Sequence, residues 1–308
     1  MAPDPRVTDP GPAPIDTRMF GTAGSTAAYL IAGPKPALVD AGAASTVDAV
    51  LADLAARRVE RLDSIVLTHI HFDHAGGAGH LAERFPEAKV YIHERVAPFL
   101  TEPEPLIEGV RTVWGDDTER LFGLPKPVPA DRVLAIGDGD EIDLGDRVLR
   151  AVATPGHTRA HLAFFDERDR AVICGDALGI QIPSSPVMRP ATPPADFSFG
   201  DALTSIEKIR DLDAGSLHVA HFGLAGPDPA TACERGAEAL TRWHETFLRE
   251  REYAESHEEL LRGFHCALEA GVEPVSPVVR RKLELVNPAW LNVAGMTLEA
   301  DRLARGRS

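Results

Sequence analysis

The sequence predicts an α/β fold of the α+β kind, in which two sheets pack face to face with helices outside. Two observations carry this prediction. Short strand-like runs alternate with amphipathic helical patterns up to about residue 225, and only helical patterns follow from Asp228 onward. We therefore divide the chain into a flexible, proline-rich leader (1–14), a layered domain (15–227) and a C-terminal helical appendage (228–308).

The first half of the layered domain has clear local signals. Apolar runs at 27–31 and 37–39 flank the turn-forming residues Gly33 to Pro36, which predicts a hairpin. Apolar residues at helical spacing then indicate a helix that Ser45 or Thr46 would cap. These residues are Val47, Val50, Leu51 and Leu54. A strand at 64–67, a helix at about 77–85 and a strand at 89–93 follow.

The second half predicts another sheet and then helices. Strands are expected around Glu141, Val148, Leu162 and Val172, with a hairpin turn at 166–170, and a last strand near Leu217. The helical patterns are Leu203, Ile206, Ile209 and Leu212; Leu240, Trp243, His244 and Phe247; Leu260, Leu261, Phe264, His265 and Leu268; Val278, Val279, Leu283 and Val286; and a last one from Trp290. We interpret His244 and His265 as packed or half-exposed helix residues rather than ligands.

Two proline-rich segments interrupt this alternation, at 101–132 and 179–200. The first carries Trp114, Leu121 and Phe122. Aromatic residues among prolines favour an ordered apolar wall that contacts an apolar part of a substrate. The candidate substrate-binding residues of the second segment are Ile180, Ile182, Met188, Phe197 and Phe199. The alternative is that both segments pack on the core or on a partner subunit.

The composition agrees with a soluble enzyme that acts on a substrate other than nucleic acid. The chain has 308 residues with 32 Lys and Arg against 47 Asp and Glu, a formal charge of −15. This charge disfavours a nucleic-acid substrate, since phosphate contacts need clustered cations. Three distant cysteines form no disulfide framework, and neither a signal peptide nor a membrane span is recognisable. We expect a cytoplasmic protein with no membrane partner, whose helical appendage lies near the functional site or at a homodimer interface.

The most informative stretch runs from Thr68 to Gly77 and contains His69, His71, Asp73 and His74. Alternate side chains of an extended segment point the same way, so His69 and His71 can bind one metal ion together. Asp73 and His74 follow where the chain must turn, and can face a second ion. The alternative, a histidine-rich surface loop, is disfavoured because other strand-like runs end in further ligand types.

Those further ligands are His157, Asp176 and His221. Each follows an apolar, strand-like run, which is where functional side chains commonly lie on a layered scaffold. Each is a weak signal alone, but together with the histidine cluster they indicate a metal site.

With these residues, the chain resembles the metallo-β-lactamase superfamily over about residues 15–225. Its motifs would be Asp40, the cluster from His69 to His74, His157, Asp176 and His221. The resemblance implies the αββα sandwich of that family. It also implies that His69, His71 and His157 hold one metal, that Asp73, His74 and His221 hold a second, and that Asp176 bridges them. Asp40 would support the site without binding metal.

The resemblance implies a binuclear, metal-dependent hydrolase. Imidazole and carboxylate ligands suit zinc, with iron or manganese as alternatives. Two ions about 3.5–4 Å apart can share a water, lower its pKa from about 15.7 to near 7, and so supply a bridging hydroxide. Asp73 would orient that hydroxide or carry its proton. The bond cleaved would be an ester, thioester or lactone.

The resemblance is strongest to the glyoxalase II-like branch and the related lactonases, and two features bear on these narrower names. Glyoxalase II uses basic residues of C-terminal helices, for which Arg280, Arg281 and Lys282 are candidates beside a plain charged helix face. Lactonases often use a tyrosine near the metals, and Tyr29, Tyr91 and Tyr253 lie outside the metal-binding loops. The alternatives are a mononuclear-iron oxidoreductase of the persulfide dioxygenase type, a phosphoester hydrolase and a non-catalytic binding module.

Overall fold

A computed structural model of the chain describes residues 11–183, 185 and 187–306. It contains two six-stranded sheets flanked by helices, which confirms the predicted fold class. The strands are β1 (Ala13–Asp16), β2 (Ala27–Ile31), β3 (Ala37–Val39), β4 (Ser64–Val66), β5 (Lys89–His93), β6 (Val133–Ile136), β7 (Glu141–Asp143), β8 (Val148–Ala153), β9 (Leu162–Asp166), β10 (Ala171–Gly175), β11 (Ser216–Val219) and β12 (Gly223–Leu224).

The helices lie between the strands in the first part of the chain and follow one another at its end. They are α1 (Val47–Ala56), α2 (Phe72–Ala75), α3 (Ala78–Arg84), α4 (Pro98–Thr101), α5 (Glu104–Trp114), α6 (Asp117–Phe122), α7 (Phe199–Arg210), α8 (Pro229–Tyr253), α9 (His257–Ala267), α10 (Pro277–Val286) and α11 (Ala289–Arg305).

The first sheet has the order β1-β2-β3-β4-β5-β6. Its first three strands are antiparallel, with Tyr29 opposite Val39, so the predicted hairpin is confirmed. Strands β3 to β6 are parallel. A core cluster that includes Leu38, Ile65 and Val90 of this sheet also contains buried residues of α1 and α3. Because the core fixes β4, the segment that follows its end is held in place.

The second sheet has the order β12-β11-β10-β9-β8-β7. Strands β7 to β10 are antiparallel neighbours, and Asp166 lies opposite Ala171 at the predicted hairpin turn. All residues of β9 and β10 are buried. Strands buried on both faces carry continuous apolar runs rather than alternating ones, which the sequences Leu162–Asp166 and Ala171–Gly175 mostly show.

Several predicted boundaries shift. Strand β1 begins at Ala13, inside the predicted leader, and residues 1–10 of that leader lie outside the described residues. The segment 101–132 is largely helical, since it contains α5 and α6. Thr46 occupies the N-cap position of α1, but its hydroxyl donates to the Ala43 carbonyl instead of capping the helix.

The chain divides into two compact units, one of residues 1–153 with 162–175, the other of residues 154–161 with 176–308. The predicted boundary between 227 and 228 falls inside the second unit, which contains α7 to α11. The four predicted C-terminal helices are confirmed as α8 to α11. His265 is exposed on α9, and His244 stacks on Phe199 with ring centroids 3.9 Å apart.

Candidate metal centre

The histidine cluster begins immediately beyond β4, and a buried carboxylate orders it. Asp40, itself in a left-handed backbone conformation with φ 61°, accepts hydrogen bonds at Oδ1 from the Thr68 backbone N–H (2.8 Å) and hydroxyl (2.9 Å). Its Oδ2 lies 2.9 Å from His74 Nδ1. Because a carboxylate only accepts, His74 Nδ1 carries the hydrogen and Nε2 carries the lone pair that can bind a metal.

Thr68 sets the tautomer of His69 in the same way. Its only hydroxyl hydrogen points to the Asp40 carboxylate, so its oxygen accepts from His69 Nδ1, 3.0 Å away. The lone pair of His69 is then on Nε2, which lies 3.0 Å from His71 Nδ1. Two nitrogens at such a separation can bind one ion at the usual zinc–nitrogen distance of about 2.0–2.1 Å.

The turn after His71 is the short helix α2, which the sequence did not predict as a helix. It buries His74 and leaves the Asp73 side chain 19% exposed. The Asp73 Oδ2 atom lies 3.3 Å from His74 Nε2. Asp73 therefore combines partial solvent access with a position beside a candidate ligand, as a proton-carrying group requires.

The second compact unit contains His157, Asp176 and His221. The loop carrying His157 passes close to α7 at Gly156, where a Cβ would lie 2.3 Å from Ala202 Cα and φ is 134°. Only glycine suits this position. The His157 Nδ1 atom lies 2.9 Å from the Ala191 carbonyl oxygen, so its lone pair is also on Nε2.

Asp176 presents its two oxygens to different histidines. Oδ2 lies 3.5 Å from His157 Nε2, and Oδ1 lies 3.7 Å from His221 Nε2. Both carboxylate oxygens of Asp176 therefore lie near a candidate ligand nitrogen. Its backbone N–H donates to Nε2 of the buried His161 (3.2 Å), whose Nδ1 therefore donates to the Thr154 hydroxyl (2.8 Å).

Together these side chains form a His/Asp cluster that fits a metal site. Three groups have ligand atoms that all lie within 4.8 Å of one another: His69, His71 and His157; His69, His74 and Asp176; and Asp73, His74 and His221. The three groups comprise the seven residues that were predicted as ligands from the sequence. Binding of a metal by these residues stays a prediction. Nitrogen and carboxylate oxygen donors of this kind suit zinc, iron or manganese.

The supporting residues Thr68 and His161 were missed in the sequence. A hydroxyl directly before His69 and a histidine four residues after His157 were the available signals. Neither residue type indicates a hydrogen-bonding role without the three-dimensional arrangement. The Ala191 carbonyl carries no side-chain signal at all.

The candidate substrate-binding residues have different surroundings. Ile180 and Ile182 are buried in a core cluster with Leu283 of α10. Their surroundings fit the alternative that this segment packs on the core. Met188 is also buried, whereas Phe197 lines a small cavity together with His157 and Asp176. Phe199 is partly exposed. Contact of these side chains with a substrate stays a prediction.

The aromatic residues of the first proline-rich segment gather beside the metal-binding motif. Trp114 and Phe122 have ring centroids 5.4 Å apart, and Phe122 lies 6.2 Å from Phe72, within the motif itself. Phe20 completes the group at 5.6 Å from Phe122. Arg280, considered for substrate carboxylates, instead donates to the carbonyls of Leu268 and Glu273.

The chain belongs to the metallo-beta-lactamase superfamily, whose family model matches residues 21–221. Enzymes of this superfamily are metal-dependent hydrolases. Among solved structures, the archaeal superfamily protein ST1585 from Sulfolobus tokodaii matches with a TM-score of 0.69 and 24% identity, over 93% of this chain and 98% of that one. This likeness shows the shared fold.

Curated relatives include the same ST1585 protein of Sulfurisphaera tokodaii, a metallo-beta-lactamase fold-containing protein. It is 30% identical over 203 residues, which is 65% of this chain and 73% of the relative. A hydroxyacylglutathione hydrolase of Bradyrhizobium is 28% identical over 53% of this chain and 52% of its own length. An atrochrysone carboxyl ACP thioesterase of Aspergillus fumigatus is 28% identical over 50% of this chain and 40% of its own length.

In the part of the chain that the structure describes, no helix has both the length and the apolar character needed to cross a bilayer.

Proposed function

We propose that this protein is a binuclear metal-dependent hydrolase that cleaves an ester, thioester or lactone bond. The observation that carries the proposal is the overlap of the three ligand groups. The group of His69, His71 and His157 shares no residue with the group of Asp73, His74 and His221. The remaining group contains His69 of the one, His74 of the other, and Asp176. A protein that needed a single ion would have use for only one such group.

The residues have separate roles in this proposal. His69, His71 and His157 would hold one ion, Asp73, His74 and His221 the other, and Asp176 both. When bound, two divalent ions, with zinc favoured, would supply a water of lowered pKa and polarise the carbonyl oxygen under attack. The hydrogen bonds from Nδ1 of His69, His74 and His157 keep each ring in its ligand orientation.

Asp73 would act as the proton carrier. Its partly exposed carboxylate can orient the attacking water, accept its proton and release it to solvent. The ligand role of Asp73 does not conflict with this, because the second carboxylate oxygen remains available for either task.

Two relatives and the apolar surroundings of His157 and Asp176 support an ester, thioester or lactone as the bond that is cleaved. Two relatives are named as a hydroxyacylglutathione hydrolase and an acyl-carrier-protein thioesterase, which supports a thioester. Apolar side chains lie beside His157 and Asp176, including Phe197, Ile206 and Leu240. These features favour a small substrate with an apolar part.

The remaining parts of the proposal concern partners and location. The net charge of −15 favours a small-molecule substrate over nucleic acid. We propose a cytoplasmic protein that acts without a membrane, and a homodimer is the form that would give its helical appendage an interface.

A substrate panel tests the proposal. Zinc-loaded protein is offered a thioester, an ester, a lactone and a phosphodiester, and the carbonyl substrates are supplied with apolar and with charged acyl groups. We expect hydrolysis of at least one carbonyl substrate, faster with the apolar acyl group, and its loss in chelator. Turnover of the phosphodiester alone, or oxygen uptake without hydrolysis by the iron-loaded form, would replace the proposal by one of its alternatives.

A further inference from the structure

The Ala191 carbonyl that orients His157 belongs to a short segment, Arg189 to Thr192, that lies between the candidate metal ligand and the C-terminal helices. All four residues are buried. His157 has only one ring hydrogen to give in its metal-binding state, and the Ala191 oxygen accepts it at 2.9 Å. The position of this carbonyl therefore decides where His157 Nε2 points.

The segment is fixed on the N-terminal side of Ala191 by a buried arginine. Arg189 is fully buried and donates to both carboxylate oxygens of Glu273, at 2.7 Å from Nε and 2.5 Å from Nη2. Its Nη1 donates to Glu284 (2.8 Å) and to the Asn287 carbonyl (2.9 Å). Its guanidinium also lies over Trp243, 5.2 Å from the ring centroid. A bidentate, buried pair of this kind has little freedom to move.

Two asparagines fix the segment on both sides of Ala191. Asn287 Nδ2 donates to the Pro190 carbonyl at 2.8 Å. Asn292 Oδ1 accepts from the Thr192 backbone N–H at 2.7 Å and from its hydroxyl at 2.9 Å. The two amides are joined to each other, because Asn292 Nδ2 donates to Asn287 Oδ1 at 2.7 Å. Each amide orientation is thereby determined by its neighbours.

Helix α11 approaches the same segment at van der Waals contact. A Cβ on Gly295 would lie 2.0 Å from the Thr192 carbonyl oxygen, so only glycine lets the helix come this close. Residues at the end of α10 and in α11 thus contact the backbone on either side of the Ala191 carbonyl, which accepts the hydrogen bond from His157.

We propose that Asn287 and Asn292 are positioning residues of the metal centre, acting on His157 through the Ala191 carbonyl, and that the C-terminal helices are consequently part of the metal-binding apparatus. The inference rests on the proposed metal site, but not on the bond that is hydrolysed. It gives the helices a function that neither their apolar patterns nor the ligand groups indicate.

The test is zinc binding to the full-length chain, measured by competition with a chromophoric chelator. Asn292→Ala removes the partner of Thr192, and Asp301→Asn is its matched control. Asp301 lies on the same helix and pairs with Arg251 of α8. Thermal unfolding of the metal-free proteins shows how much each change destabilises the fold.

We expect Asn292→Ala to lower one of the two zinc affinities by about 10–100-fold, the usual effect of losing a residue that supports a ligand. Asp301→Asn should leave both affinities unchanged. Two unchanged affinities in Asn292→Ala would overturn the inference and make the asparagines purely structural. Wild-type protein that binds no zinc would instead overturn the proposed function.

A second measurement does not depend on the stability of that variant. In metal-free wild-type protein labelled with ¹⁵N-histidine, nuclear magnetic resonance should show His157 protonated at Nδ1, with a slowly exchanging hydrogen. The Asn287→Ala variant loses only the hydrogen bond to the Pro190 carbonyl and the one from Asn292. We expect this loss to speed the exchange of the His157 hydrogen. A His157 ring protonated at Nε2, or exchange unaltered in Asn287→Ala, would contradict the inference.

Discussion

The Asp40 carboxylate and His74 are joined by a buried contact of 2.9 Å between Oδ2 and Nδ1. The other oxygen of this carboxylate holds the backbone N–H of Thr68, directly before His69. Asp40 therefore orders His74 directly and His69 through Thr68. These two candidate ligands belong to the two ligand groups that share no residue. Replacing Asp40 should therefore weaken metal binding more than replacing a buried carboxylate that contacts no ligand.

We expect Asp40→Asn to weaken zinc binding by about 10–100-fold, because an amide cannot accept from Thr68 and His74 with a full negative charge. Chelator competition measures the affinity. Asp140→Asn is a matched control, since Asp140 also accepts from a backbone N–H, that of Gly137, at an exposed site. Equal zinc affinity in Asp40→Asn and wild type would show that Asp40 does not support the ligands.

Asp73→Asn tests the proton carrier. The amide oxygen can still bind a metal, whereas the side chain can no longer accept a proton near neutral pH. We expect kcat to fall by about 10²–10⁴-fold, as is usual for losing a general base, with much smaller effects on KM and on zinc content. Steady-state kinetics and metal analysis on the same preparation measure both. Near-normal turnover would reduce Asp73 to a ligand.

The buried His218 of β11 should make stability depend on pH. Burial lowers the pKa of His218 from 6.5 to about 4. As pH falls, the unfolded chain therefore takes up this proton at a higher pH than the folded chain does. The contribution of neutral, buried His218 to the free energy of unfolding is complete above about pH 6.5 and is lost as pH falls toward 4. At about 1.4 kcal/mol per pKa unit, the loss is on the order of 3 kcal/mol.

Urea unfolding of metal-free wild type and His218→Leu between pH 4 and 7 measures this effect. The variant should lose less stability over that range, although it is less stable at pH 7 because it also loses the contact of His218 with the Ser216 hydroxyl. A parallel decline in both proteins would exclude His218 as the source.

The three cysteines should differ in reactivity. Burial raises the pKa of the Cys233 thiol to about 11, Cys174 is fully buried, and Cys266 is exposed on α9. Because the thiolate is the reactive form, we expect one fast-reacting thiol per native chain and three in denaturant. Cys266→Ser should abolish the fast reaction. A second fast thiol in that variant would contradict the packing around α8 or β10.

The elements that could be predicted from the sequence are those with a strong local signal. The hairpin of β2 and β3 follows from two apolar runs across Gly33 to Pro36, and α8 to α11 follow from apolar residues at helical spacing. The candidate metal ligands were chosen because imidazoles and carboxylates cluster in one motif and recur after strand-like runs, a pattern that resembles the metallo-β-lactamase superfamily. For the hairpin and the helices, neighbouring residues alone carry the information.

The elements that the sequence did not predict are those in which prolines and glycines were interpreted as loop residues. Pro98 and Pro105 lie in the first turns of α4 and α5, and Gly115 and Gly123 end α5 and α6 with positive φ. These residues mark helix ends rather than an irregular loop. Likewise β1, which contains Pro14, is the edge strand of its sheet, where a missing N–H is tolerated.

The hydrogen-bonded contacts that support the ligands could not be predicted either, although the family resemblance implied a supporting role for Asp40. The contact between His157 and the Ala191 carbonyl joins positions 34 residues apart, and that between His74 and Asp40 also joins positions 34 apart. Such contacts depend on how strands and helices are arranged in space. The sequence shows which residues can bind a metal, but not what holds their rings in place.

Metal content tests the central claim most directly. Protein purified without chelators is analysed for all transition metals, and the same sample is assayed on the thioester and lactone substrates. The binuclear hydrolase predicts about two ions per chain, zinc or zinc with iron, and hydrolysis that disappears on metal removal and returns with zinc. A single iron per chain, with oxygen uptake and no hydrolysis, would contradict it.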